Sequence, residues 1–170
     1  VQSIVAENKK PDLDSAYIYG TFSLSTTDNV GLSIILEEYS KDSNSDSELY
    51  EYYIGFNKNS TPKVDMIELP PGEYNINGLL NLKKDTIGYN PSGRSQLFRT
   101  PVPIVITLEA GNAYYLGDYS GTSSVSCYSS SCNYRWQLSA IENTMDQSTL
   151  DLKKQYKYFK QIPTQSLLED

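Results

Sequence analysis

The chain has no histidine at all, two cysteines, two methionines and one tryptophan. Without an imidazole, triads that need a histidine base, His-ligated metals and histidine pH switching are all excluded. There is no G-x-S-x-G elbow and no glycine loop of the phosphate-cradling kind, so no nucleophile or nucleotide signature points to catalysis. No apolar run approaches the ~18 residues needed to cross a bilayer. The opening VQSIVAENKK has neither a starting Met nor a signal-peptide core, which implies a leader already removed. Residues 1–14 read as a polar tether.

What is present is tyrosine. The 170 residues include 15 tyrosines, and 38% of the chain is hydrophobic, enough for one domain with a core of its own. Tyrosine suits half-buried strand faces, where the ring packs and the hydroxyl stays wet. The formal net charge of -7 repels phosphate backbones and anionic lipid surfaces, so nucleic acid is not an expected partner. The C-terminal cluster Lys153, Lys154, Lys157 and Lys160 most simply complements a helix dipole.

Alternation with period two recurs along the chain. In SAYIYGTFSLS, Ala16, Ile18, Phe22 and Leu24 fall on one face, Tyr17 and Tyr19 on the other. VGLSIILEEYS and LYEYYIGFNK form a hairpin around the polar loop KDSNSDSE. KVDMIELP stops at Pro70-Pro71-Gly72, a turn signal, and EYNINGLLNLKK restarts the pattern. Residues 84–95 read as a loop. PVPIVITLEAG is expected to pair with NAYYLGDYS through a Gly111-Asn112 turn, and NYRWQLSAIE follows. The expected architecture is an all-β antiparallel sandwich of about eight strands, residues 15–160, closed by one short C-terminal helix. That helix spans 144–156, with Thr144 and Gln147 in capping-box positions and Met145, Thr149, Leu152 and Tyr156 on one stripe. Residues 161–170 read as a tail.

Cys127 and Cys132 are separated by four residues in a Ser-rich stretch between two aromatic strands. A disulfide across a hairpin loop is favoured over two free thiols or half a metal site, since no histidine or second cysteine pair completes a zinc shell. A disulfide implies an oxidising compartment. Asp42, Asn44, Asp46 and Glu48 resemble half a calcium loop. Ser47 replaces the turn glycine and Tyr53 the bidentate glutamate, so a solvated hairpin tip is the simpler reading and no metal or cofactor is expected. Asn59-Ser60-Thr61 matches a glycosylation acceptor. Tyr50, Tyr52, Tyr114, Tyr119 and Tyr128 are the candidates for an aromatic binding surface.

The order AYIYGTFSL, ELPPGEYNI, ITLEAGNAYYLGDYSG and YRWQLSAIEN, followed by a helix ending in LKKQY, resembles a group of uncharacterised bacterial cell-envelope proteins. Many of these are predicted lipoproteins with a transthyretin-like or immunoglobulin-like β-sandwich. The resemblance spans residues 15–157. It implies a domain exported to the periplasm, outer membrane or cell surface, tethered through a lipidated cysteine ahead of Val1, and it brings no catalytic residues. Sequence therefore favours a non-enzymatic module that binds another envelope protein through sheet edges and exposed tyrosines. A carbohydrate- or peptidoglycan-binding module is the alternative.

Overall fold

A computed structural model describes residues 4–26, 30–39, 50–58, 61, 63–82, 94–95 and 105–168. The elements in chain order are β1 (Ala16–Thr26), β2 (Val30–Glu38), β3 (Glu51–Gly55), β4 (Asn57–Lys58), β5 (Val64–Leu69), β6 (Gly72–Leu82), β7 (Arg94–Ser95), β8 (Val105–Leu108), β9 (Ala113–Tyr128) and β10 (Ser131–Glu142). Helix α1 (Met145–Gln155), a 3₁₀ turn (Lys157–Phe159) and β11 (Thr164–Ser166) complete the chain.

The antiparallel sandwich expected from the sequence is not what forms. Sheet A is mixed: β9 runs parallel to β1 and to β11, β4 runs parallel to β1, and β5 and β10 close it antiparallel. Sheet B, built from β3, β2, β6, β7 and β8, is antiparallel throughout. The expected hairpin between PVPIVITLEAG and NAYYLGDYS is also absent. β8 pairs with β6 in sheet B and β9 with β1 in sheet A, so the Gly111 turn (φ +80°) carries the chain from one sheet to the other. Pro70-Pro71 does the same between β5 and β6. Alternation reports which residues share a face and is silent on which strand lies alongside, so it does not distinguish a β8–β9 hairpin from a crossing between the sheets.

The sheets face one another across a core in which Ile18, Phe22, Ile67 and Leu116 of sheet A meet Ile34, Ile76 and Leu108 of sheet B. Phe22 stacks on Tyr119 at 5.4 Å and meets Phe56 edge-on at 5.7 Å. The opposite face of sheet A is covered too: Tyr17, Tyr19, Met66 and Tyr115 are buried beneath Leu152, Tyr156, Phe159 and Ile162. A strand buried on both faces is the ordinary setting for parallel pairing, and Ala16–Gly20 of β1 are buried without a break.

β1 and β9 approach so closely that a Cβ on Gly20 would lie 2.3 Å from the Gly117 carbonyl oxygen. The register shifts there, with Tyr19 opposite Tyr115 but Gly20 opposite Gly117. This bulge, with Gly117 at φ +125°, returns Tyr119 to the face that already holds Tyr114 and Leu116.

The described residues at both ends, from Ile4 and up to Leu168, are part of the fold. The expected tether is docked: Ile4 bridges to Ile67, the Val5 N–H bonds the Met66 carbonyl at 2.8 Å, and Lys9 pairs with Glu68. The expected tail supplies β11, and Leu167 and Leu168 pack on the core. Among the described residues no helix is long and apolar enough to cross a membrane.

Candidate interaction surface

The five tyrosines expected to form one surface do not come together. Tyr114 and Tyr119 are core residues: the Tyr114 hydroxyl accepts from the Glu109 N–H at 2.8 Å, and the Tyr119 hydroxyl donates to the Leu116 carbonyl at 2.8 Å. Burial pushes the Tyr119 phenol well above its ordinary range. Tyr52 is partly buried, edge-on to Tyr74 at 5.9 Å; burial, then the charge of Glu38, raises its pKa. Tyr50, 70% exposed, and Tyr128, 88% exposed, are left at the surface. The segment holding Asp42, Asn44, Asp46 and Glu48 lies outside the described residues, as do Asn59 and Ser60 of the glycosylation motif.

Tyr128 sits at the tip of an arm. β9 is paired with β1 as far as Thr26 opposite Ser123, and beyond that point it continues with β10 alone to Tyr128 opposite Ser131. The described side chains of this extension, Ser124, Ser126, Cys127, Tyr128, Ser129 and Ser130, are exposed. Ser129 takes φ +59° in the two-residue turn, the left-handed backbone that tight hairpins require. One pair in from the turn, Cys127 lies directly opposite Cys132, at a spacing a disulfide can span. Cys127 is not a free thiol.

The residue that sequence reasoning missed is Asp118. Its carboxylate accepts from Thr21 Oγ1 at 2.8 Å, Tyr115 Oη at 2.8 Å, Ser148 Oγ at 3.2 Å and Thr144 Oγ1. Tyr115 Oη in turn accepts from the Thr144 N–H at 2.9 Å. The expected capping box is not made. Thr144 is the N-cap residue but makes no side-chain cap bond, because its hydroxyl goes to Asp118, and Gln147 bonds Asp151 instead. A carboxylate filled by four hydroxyls latches α1 onto sheet A. Burial pushes Tyr115 up to about 12. Nothing in the spacing of Thr21, Asp118 and Thr144 announces this cluster, since three separate elements supply it.

A second carboxylate, Asp65, is buried, held by Asn57 Nδ2 at 2.5 Å, and burial raises its pKa. Both acids are engaged in holding the fold, whereas the arm is offered to solvent. Compared with protein-family models, curated proteins and solved structures, the chain matches none. The resemblance to envelope proteins therefore rests on its motifs alone.

Proposed function

We propose that the chain is a non-enzymatic, exported cell-envelope module that binds a partner protein through the β9–β10 arm. The observation that carries this reading is the run of β9 past the end of β1, which lifts an 88% exposed tyrosine clear of the sheet on a two-stranded ribbon. Aromatic side chains on a preorganised support are favoured contact residues, because little ordering entropy is lost when they are buried. A disulfide between Cys127 and Cys132 would stiffen the tip and fits an oxidising compartment. The sugar-binding alternative needs several tyrosines on one wall, and Tyr114 and Tyr119 face the core instead.

The test is affinity capture from detergent-solubilised envelope with tagged wild type, Tyr128→Ser and Tyr50→Ser. A defined protein held by wild type and by Tyr50→Ser but lost with Tyr128→Ser is the expected result. Capture that ignores Tyr128, or glycan eluting without protein, overturns it. Thiol alkylation of the unfolded, unreduced protein should label neither cysteine.

A further inference from the structure

The lysines near the C-terminus do more than complement a dipole. Lys153 and Lys154 lie in the last turn of α1, and a helix dipole acts within that turn; Lys157 and Lys160 lie beyond it. From Leu152 to Leu168 the chain carries four lysines and no acid, against a net charge of -7 overall. Leu152, Tyr156, Phe159 and Ile162 are buried against sheet A, which leaves Lys154, Lys157 and Lys160, three residues apart, exposed on the solvent side. Between them Tyr158 is 44% exposed, with Lys157 Nζ 5.1 Å and Lys10 Nζ 5.7 Å from its ring centre. Lys63 joins Lys154 around an open hollow of about 370 Å³ whose remaining lining is Val64, Asp151 and Gln155. Two exposed leucines accompany the lysines: Leu150, one turn ahead of Lys154, and Leu13. Leu13 follows Asp12, whose N–H bonds Tyr17 Oη while the Tyr17 ring meets Phe159 edge-on at 5.0 Å. The acids nearby include Asp151 in the hollow, Asp65 beside Lys63 and Tyr156, Glu7 beside Tyr156, and Asp12 and Asp14 of the N-terminal segment; Lys9 is committed to Glu68.

We propose that this lysine–tyrosine face docks on an anionic phospholipid bilayer. Cationic heads on apolar stems, an aromatic ring at their level and isolated exposed leucines form the mixture that settles at a headgroup boundary. A flexible polyanion gains nothing from the leucines and meets the repulsion of the whole chain as it wraps. A flat membrane meets one face, and since charge is felt over only ~8 Å at physiological salt, acids farther than that from the face do not oppose docking. β9 starts at Ala113, bonded to Pro163 just past the lysine segment, and runs 16 residues, about 50 Å when extended, to the arm tip. Tyr128 therefore lies far along β9 from the lysine segment. The docking itself does not depend on the arm's having a partner.

The experiment is co-sedimentation of the purified chain with phosphatidylcholine vesicles, with and without phosphatidylglycerol, at low and high salt. Binding should require phosphatidylglycerol and weaken with salt. Each lysine contributes about fivefold, so Lys154→Gln/Lys157→Gln/Lys160→Gln should lower partitioning roughly a hundredfold. Lys58→Gln, in β4, should change nothing, and Tyr158→Ser should weaken binding while keeping its salt dependence. Equal binding to phosphatidylcholine alone, or a triple variant that binds like wild type, overturns the proposal. So does retention on heparin without vesicle binding, which would assign the face to a polyanionic chain.

Discussion

The two faces of sheet A are both buried, but by different means. Towards sheet B the contacts are mostly aliphatic and phenyl, and the buried tyrosines Tyr74, Tyr114 and Tyr119 bond backbone three to five residues away; the main stabilising effect is removal of apolar surface from water, about 1.5–3 kcal/mol for each fully buried large side chain. Towards α1 the buried residues include Tyr17, Tyr19, Tyr115 and Tyr156, whose hydroxyls must be satisfied. Tyr17 donates to Glu68 at 2.9 Å and accepts from the Asp12 N–H; Tyr19 meets Thr149 Oγ1 at 2.7 Å; Tyr115 joins the Asp118 cluster. On the first face these hydroxyl bonds are local, and its aliphatic positions tolerate like-for-like apolar exchange. The second fixes the position of the helix and the N-terminal segment through particular atoms.

Substitutions can separate the two. The largest loss should come from Phe22→Ala, which empties the space between Phe56 and Tyr119 and should cost about 3–5 kcal/mol in urea unfolding, with α1 released only on global unfolding. Gly20→Ala, which forces β1 from β9, should cost about 3 kcal/mol by the same measurement; because both faces share that strand pair, far- and near-ultraviolet signals should be lost together. Tyr115→Phe removes a donor from Asp118 and the acceptor of the Thr144 N–H and should cost about 1–3 kcal/mol. Its signature should be faster hydrogen exchange in α1 while sheet B stays protected.

The mildest perturbation is alkaline pH. Burial raises Tyr17, Tyr115 and Tyr156 to about 12, above the unfolded value of ~10. For an acid whose folded pKa is raised, the stabilisation is complete below the unfolded value and is lost as pH rises from about 10 towards 12. Absorbance of the phenolates should therefore climb together with loss of structure. Smooth titration of all 15 tyrosines with the fold intact would show that the helix face does not depend on those hydroxyls.

The strand periods, the β2–β3 hairpin pairing and the helix near 144–156 could be read from the chain because each is a local signal. The mixed sheet could not, because it depends on Gly20 meeting Gly117 and on the crossings at Pro70-Pro71 and Gly111. Tyrosine was the other source of error. Its hydroxyl suggests a wet face, so Tyr114 and Tyr119 looked available for binding, while both hydroxyls find backbone partners inside. Of the surface candidates, Tyr128 was legible from its place beside the cysteines; Tyr158 was not, since only the docking of the N-terminal segment brings Lys10 to it.

β9 also bears on how the molecule is made. β1 is formed almost wholly of residues that are buried once β9 lies beside it, yet β9 begins nearly a hundred residues later. Closing so long a loop before any contact rewards it slows folding. A chain emerging from its N-terminus would hold β1 with β4 and β5 on one edge only, its other edge open until the last third had arrived. Translocation of such a polypeptide before it folds would suit that order of events, with the C-terminal third acting as the final clasp.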